Sequence, residues 1–187
     1  MRPTIQYAIL FVIIWFLGKM TFFYTQTFQQ AYEVKYLVLW NMLCLLLGIT
    51  IGSYVQKKRE ANTETTALYD MKNSMAGGLI YSVLVGVLLY VYYAKIDPAY
   101  NERQLHTAEV QLKKALHDPV VLKKARQNPE LATMTTEEIY GKQMQGYRAF
   151  YSPGSTMTVS MLGMLLLSTL NSLVVTAVYR RIVFKGS

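Results

Sequence analysis

A run of uncharged, mostly apolar residues at positions 75–94 constrains this 187-residue chain more than any other feature. At a rise of 1.5 Å per residue, about 20 helical residues cross the roughly 30 Å hydrocarbon layer of a bilayer. Tyr90, Tyr92 and Tyr93 lie near the end of the run, and tyrosine is typical of a membrane-water interface. The run therefore predicts a membrane-spanning helix.

Three further apolar runs, at residues 5–24, 36–55 and 156–178, are long enough to span a membrane. Charged residues make up 16% of the chain, below the roughly 25% of soluble domains. The first run continues in bulky residues without a cleavage site, so we expect a span and not a removed signal peptide. The chain is predicted to be all-α, a four-helix transmembrane bundle.

A polar region, residues 95–155, separates spans three and four and is too long for a simple connector. Three Asx-Pro pairs can each cap a helix: Asp97-Pro98, Asp118-Pro119 and Asn128-Pro129. We predict helices at about residues 98–117 and 119–127 and, after the Thr-Thr-Glu-Glu sequence at 135–138, a third helix to about residue 151. We divide the chain into residues 1–94, 95–155 and 156–187. The middle segment is a small helical insertion. Its two longer helices carry stripes predicted to pack together, formed by Leu105, Ala108, Leu112 and Leu116 and by Tyr140, Met144, Tyr147 and Tyr151.

Basic residues in the short flanks orient the spans, because cytoplasmic loops carry an excess of lysine and arginine. The short loop on one side contributes only Lys35. The other side contributes Arg2, Lys57, Lys58, Arg59, Lys72, Arg180, Arg181 and Lys185. Both termini are therefore expected in the cytoplasm, and residues 95–155 in the periplasm. Because most basic residues lie at span ends and share no face, we expect no nucleic-acid partner.

Small residues at four-residue spacing lie in three spans and equip helices for close approach. They are Gly48, Gly52, Gly78, Ser82, Gly86, Ser168 and Ser172. This pattern predicts tight association within or between chains, with a protein partner or a second copy, in addition to contact with the lipid bilayer.

Three polar residues lie inside the predicted spans: Lys19, Asn41 and Asn171. Lys19 is close enough to an aromatic end to snorkel to the bilayer surface. The two asparagines bond either to each other or, as we favour, to neighbouring helices. Within their predicted bounds the spans carry no Asp, Glu, His or Arg, which argues against ion transport and intramembrane hydrolysis.

A metal site is weighed on the first insertion helix, where Glu102, His106 and Glu109 share a face and His117 follows. Lys113 lies on the same stripe, so a solvated surface is favoured and no metal or cofactor is expected. The basic groups at 113–114 and 123–126 are compatible with an acidic head group or glycan, but an ordinary charged surface is favoured. Cys44 has no second cysteine with which to form a disulfide within the chain.

The segment entering span three and the segment leaving it resemble the four-span bacterial membrane family of domain of unknown function 4199. The residues that carry the resemblance are Asp70-Met71-Lys72-Asn73-Ser74-Met75-Ala76-Gly77-Gly78 and Ile96-Asp97-Pro98-Ala99-Tyr100. The resemblance covers about residues 68–181. It implies the inner membrane of a diderm bacterium and no assigned activity.

We expect a non-enzymatic integral inner-membrane protein with a structural, accessory or partner-binding role. The alternative is a small-molecule or lipid-handling protein, a transporter or transferase accessory, that uses a polar seam at Asn41 and Asn171. A third hypothesis, a periplasmic metal sensor, depends on Glu102 and His106.

Overall fold

The computed structural model describes residues 1–25, 33–60 and 65–183, and these ranges contain helices and no strand. The helices are α1 (Pro3–Thr25), α2 (Glu33–Arg59), α3 (Ala67–Val91), α4 (Ala99–His117), α5 (Pro119–Ala125), α6 (Thr136–Phe150) and α7 (Pro153–Val178). Short π-helical turns, Tyr92–Ile96 and Tyr179–Val183, extend α3 and α7.

Four of these helices are long and apolar enough to cross a membrane: Pro3–Thr25, Tyr36–Arg59, Ala67–Ile96 and Pro153–Val183. The predicted all-α fold with four spans is therefore confirmed. The side chains of Lys35 and Lys185, on which part of the orientation argument rests, lie outside the described residues.

The chain divides into two compact units, one formed by Met1–Leu88 with Val159–Ser187 and the other by Leu89–Thr158. The first unit contains the spans. The second is the helical insertion, and it also includes the last turn of α3 and the first residues of α7, so it is longer than the 95–155 drawn from the sequence.

The core of the first unit is built from side chains spaced at helical intervals. Ala8, Val12 and Trp15 form the inward face of α1, and Leu45 and Ile49 form that of α2. Large apolar side chains also face outward, among them Leu17, Leu39 and Leu166. A helix that is apolar on all sides is typical of a span surrounded by lipid.

Helix α3 begins earlier than the sequence indicated. Leu68, Met71 and Met75 have helical spacing, and in the structure they belong to one continuous helix that begins at Ala67 and runs into span three. The Thr66 hydroxyl accepts a hydrogen bond from the Tyr69 amide at 3.2 Å and caps this helix. Since neither Gly nor Pro interrupts residues 67–76, nothing local ends the helix before the span.

The insertion packs around its own small core, Leu112, Leu116, Leu131, Ile139 and Met144. The predicted stripe on α4 faces this core: Leu112 and Leu116 belong to the core, Leu105 packs against it and Ala108 is buried. The face of α6 is centred on Ile139 and Met144, and Tyr140 and Tyr147 pack at its edge. Side chains cap all three predicted helix starts: the Asp97 carboxylate accepts from the Tyr100 amide at 3.1 Å, the Asp118 carboxylate accepts from the Val120 amide at 2.8 Å, and Thr135 and Glu138 form a capping box.

The third Asx-Pro pair does not start a helix. The Asn128 side chain accepts from the Glu130 amide at 3.1 Å, but the following residues form turns, and α5 ends at Ala125 instead of 127. An Asx side chain followed by proline suits a turn as well as a helix start, and here no periodic apolar face follows to favour the helix.

Candidate functional site

Polar side chains from all four spans meet at one end of the first unit. Ser53 near the end of α2 and Ser74 near the start of α3 share a hydrogen bond of 2.7 Å between buried hydroxyls. Arg2, just before α1, donates from Nη1 to Asn73 Oδ1 of α3 at 2.7 Å. Arg180, just after α7, donates to Asp70 of α3 at 2.8 Å. These contacts bring the start of span one and the end of span four to the same end of the bundle.

Asp70 is the centre of this group. Its Oδ2 accepts from Lys57 Nζ at 3.2 Å and from Arg180 Nη1 at 2.8 Å, and its Oδ1 accepts from the Thr65 hydroxyl at 2.9 Å. Lys57 also donates to Thr65 Oγ1 at 2.5 Å. The side chains of Lys57 and Asp70 are 11% and 12% exposed. We call Lys57, Thr65, Asp70 and Arg180 the Asp70 cluster; it holds two cations on one largely buried carboxylate.

A small polar cavity of about 20 Å³ lies beside the Asp70 cluster, with room for one or two water-sized groups. It is lined by Thr4, Ser53, Gln56, Lys57, Asp70, Asn73, Ser74, Val175, Thr176 and Tyr179. Several lining atoms are buried without a hydrogen-bond partner among the described residues: Thr4 Oγ1, Gln56 Oε1, Asn73 Nδ2 and Thr176 Oγ1. Because nearly all buried polar groups in native proteins are hydrogen-bonded, such a set indicates a site for a small polar group.

The charge around the cavity is positive. Arg2, Lys57 and Arg180 contact its lining or lie in it, and Asp70 is the carboxylate among them, which leaves an excess of cationic side chains. Further exposed basic residues lie on the same terminal turns: Lys58, Arg59, Lys72 and Arg181. The arrangement favours a negatively charged or electron-rich ligand.

The sequence analysis missed this site because it treated the residues beyond the apolar runs as flanks that face water. Asp70 lies within the continuous helix α3, and Lys57 lies within α2, so the helices that form the spans do carry charged residues. A usable signal was present: Asp70 and Ser74 extend the four-residue spacing of Gly78 and Ser82 toward the start of α3. A carboxylate in line with the packing face of a helix is expected to point inward.

The predicted small residues lie at contacts within the chain. A Cβ atom on Gly78 would lie 2.5 Å from Ser168 Cβ, and one on Gly52 would lie 2.8 Å from Thr4 Cα. At Gly48 the nearest atom, Phe11 Cβ, would be 3.3 Å away. These residues therefore let α3 approach α7 and α2 approach α1, and their faces are occupied by the same chain.

The three remaining small residues are also buried. Ser82 is fully buried and donates to the Gly78 carbonyl at 2.8 Å. Ser172 is fully buried, and its hydroxyl has no partner among the described residues. Gly86 is buried on the same side of α3 as Ser82.

The intramembrane asparagines do not pair with each other in the described part of the chain. Asn41 Oδ1 accepts from the Tyr81 hydroxyl at 2.8 Å, and its Nδ2 lies 3.5 Å from Met164 Sδ. The Asn171 amide nitrogen has no partner among the described residues. Lys19 is 4% exposed and lies on the inward face of α1, so its snorkelling to the bilayer surface stays a prediction.

The metal alternative gains no support from the insertion. Glu109 Oε1 accepts from Lys113 Nζ at 2.7 Å and from the Tyr140 hydroxyl at 2.8 Å, and these two hydrogen bonds lower the pKa of Glu109. Among the residues described, no group of three His, Cys, Asp or Glu is placed to hold a metal ion.

Comparison with known proteins places the chain in a family. No curated protein and no solved structure matches it. A family model described as "Protein of unknown function (DUF4199)" matches residues 6–181, which is nearly the whole chain and includes the four spans and the insertion. The chain is a membrane-spanning helical protein that belongs to this family.

Proposed function

We propose that the chain is a non-enzymatic integral protein of a bacterial inner membrane that presents its helical insertion to a protein partner in the periplasm. The observation that carries the proposal is that the insertion has its own packed core, Leu112, Leu116, Leu131, Ile139 and Met144, outside the spans. A segment with its own core and capped helices offers a preorganised surface, which reduces the entropy lost on binding. The orientation rests on the excess of basic residues at the other ends of the spans.

Helix α5 is the part of the insertion best suited to bind. Asp118 caps it, and Leu122 and Ala125 pack against the core, so its position is held. On its outer side, Val120 is 63% and Val121 is 38% exposed.

Three exposed cations, Lys123, Lys124 and Arg126, accompany these valines. An apolar pair next to clustered positive charge is complementary to an acidic protein surface that has an apolar centre. We name Val120, Val121, Lys123, Lys124 and Arg126 the α5 surface, and its partner is an acidic protein.

Site-specific photocrosslinking in cells tests this proposal. A photoreactive residue in place of Val120 is expected to give a discrete crosslinked protein, whereas one in place of Glu137, which is exposed on α6, serves as the matched control and is not. Reversing the charge with K123E and K124E is expected to reduce the crosslink at position 120 by about tenfold or more, because like charges then face each other. Equal crosslinking at both positions, or indifference to charge reversal, would refute the α5 surface as the binding site.

The alternative function, handling of a small molecule or lipid at a polar seam of Asn41 and Asn171, stays a prediction. Asn41 is 5% exposed and bonded to Tyr81, and the described cavity does not include either asparagine. The cavity near Asp70 does favour a polar ligand, at a different place from the one expected.

A further inference from the structure

Three buried polar side chains aim unpaired atoms into the cavity beside the Asp70 cluster. Thr4 is fully buried, Asn73 is 2% exposed and Thr176 is 8% exposed, and each lines the cavity. None of Thr4 Oγ1, Asn73 Nδ2 and Thr176 Oγ1 has a hydrogen-bond partner among the described residues. They come from three different spans, so the fold brings the unsatisfied groups together from distant parts of the chain.

The identity of these atoms indicates what they bind. Arg2 donates to Asn73 Oδ1 at 2.7 Å, and because a guanidinium has no acceptor, the oxygen of this amide must face Arg2. The atom left for the cavity is therefore the Asn73 amide nitrogen, which only donates. The threonine hydroxyls can rotate to donate as well. The cavity thus presents three donors that converge on one small space, together with one unpaired acceptor, Gln56 Oε1.

The charge next to the cavity selects an anion over water or a neutral group. Lys57 lines the cavity, Arg2 contacts its lining at Asn73, and Asp70 is shared between Lys57 and Arg180. The starts of α1 and α3 lie at this end, and the amides of a helix start favour negative charge. The Asp70 carboxylate and the ends of α2 and α7 act in the opposite sense, but the three cations Arg2, Lys57 and Arg180 outnumber the one carboxylate.

The position of the cavity at the ends of the spans fits the depth of lipid phosphates. The terminal turns of the spans form the cavity. The Tyr54 and Tyr179 rings lie at the same end, with their centroids 6.0 Å apart, and tyrosines are typical of a membrane-water interface. Basic pockets between spans on the cytoplasmic side are typical sites for anionic head groups. At about 20 Å³ the cavity fits one or two oxygens of a phosphate, not a whole lipid.

We propose that this cavity binds the phosphate group of an anionic ligand, with Thr4, Asn73 and Thr176 as donors and Arg2 and Lys57 as countercharges. The head group of an anionic phospholipid and free inorganic phosphate share this chemistry. Asp70 is a positioning residue, because its carboxylate accepts from both Lys57 and Arg180 and so fixes where these two cations lie.

The test measures lipid binding to the purified full chain in neutral detergent by native mass spectrometry. Phosphatidylglycerol is titrated against phosphatidylcholine with the same acyl chains, and inorganic phosphate is titrated alone. The double variant Thr4→Val, Thr176→Val keeps the shape of both side chains and removes two donors that bond to nothing in the described chain. Thr169→Val on α7, whose hydroxyl donates to the Leu165 carbonyl, is the matched control outside the cavity.

Phosphatidylglycerol is expected to bind at least tenfold more tightly than phosphatidylcholine, and the double variant to lose about tenfold of that affinity, while Thr169→Val binds like the parent. If inorganic phosphate alone binds and responds to the double variant, the phosphate is a soluble one. Equal binding of the two lipids with no phosphate binding, or full affinity in the double variant, would overturn the proposal.

A second variant keeps the test informative if the double variant does not fold. Arg2→Gln changes an exposed side chain ahead of the first helix, and the glutamine amide keeps a donor for the Asn73 oxygen. It removes one countercharge and is expected to weaken phosphatidylglycerol binding about fivefold without changing phosphatidylcholine binding. Unchanged phosphatidylglycerol binding in this variant would contradict the role assigned to Arg2 and to the cavity.

Discussion

The Arg180 guanidinium, in the turn after α7, donates to the Asp70 carboxylate in the first turn of α3 over 2.8 Å, although 110 residues separate them. The same carboxylate oxygen accepts from Lys57 at the end of α2. One acid therefore joins three spans at one end of the bundle. Removing this largely buried carboxylate would leave Lys57 and Arg180 without their shared anion, so the contact makes a specific prediction for stability.

Asp70→Asn is expected to lower the free energy of unfolding by about 2 kcal/mol, since Lys57 and Arg180 lose their common anion in a partly buried setting. Unfolding of the purified protein in mild detergent, followed by circular dichroism, measures the change. Glu130→Gln in the exposed Glu130–Lys142 pair is the control and is expected to leave the unfolding midpoint unchanged. Equal midpoints for Asp70→Asn and the parent would show that the cluster does not hold the helix ends together.

The close approach of α3 to α7 predicts that Gly78 tolerates no side chain. In Gly78→Ala the added carbon would lie 2.5 Å from Ser168 Cβ, so the helices must separate, at a cost of about 1–3 kcal/mol. Gly163→Ala on α7 is the matched control, because no atom lies within 4 Å of the added carbon. That control is expected to be neutral or slightly stabilising, as alanine favours helix. A stable Gly78→Ala protein together with an unstable Gly163→Ala protein would contradict this packing.

The buried hydrogen bond from Tyr81 to Asn41 makes a third prediction. Tyr81→Phe keeps the ring and removes the donor, which leaves the Asn41 amide oxygen unpaired in the interior and is expected to cost about 1 kcal/mol. Tyr90→Phe removes a hydroxyl from a side chain that is 47% exposed and is expected to cost nothing measurable. The two variants are compared by their thermal midpoints in the same detergent, and indistinguishable midpoints would refute a structural role for the Tyr81–Asn41 bond.

The parts of the fold that depend on composition and on local sequence could be predicted, and the parts that depend on distant partners could not. A long apolar run partitions into lipid whatever its neighbours are, so the four spans were evident. Thr135 and Glu138 cap α6 with groups three residues apart, so that helix start was evident as well.

Asn41 could have bonded to any facing helix, and nothing near it in the sequence indicates Tyr81. The Asp70 cluster joins residues from separate spans, and its members were assigned to flanks because basic residues at span ends usually face water. The sequence indicates that Asp70 faces inward only through its position on the same helix face as Ser74 and Gly78.

Acidification is expected to loosen the start of α6. Hydrogen bonds from the Thr135 amide and hydroxyl hold the pKa of Glu138 below its ordinary value of 4.5. A carboxyl group whose pKa is lower in the folded state stabilises that state above the unfolded pKa, and this contribution is lost as the pH falls through the folded pKa. Hydrogen exchange of the first-turn amides of α6, corrected for the intrinsic pH dependence, should therefore speed up below pH 4.5. Glu138→Gln should lose this dependence, and Glu137→Gln, which changes the exposed neighbour, should keep it.

The contacts at the Asp70 end also make a prediction for topology. Since Arg2 bonds to Asn73 and Arg180 bonds to Asp70, the first and last described residues lie at the same end of the spans. From the excess of basic residues there, we expect that end to lie in the cytoplasm. Reporter fusions after residue 183 and before residue 2 are expected to be active only with a reporter that works in the cytoplasm. A single cysteine at position 137, in a Cys44→Ser background, is expected to react with a membrane-impermeant maleimide added outside spheroplasts. Reporters active on opposite sides of the membrane would contradict the four-span topology. Reporters that are both active outside the cytoplasm would show that the orientation is inverted and that the α5 surface lies in the cytoplasm.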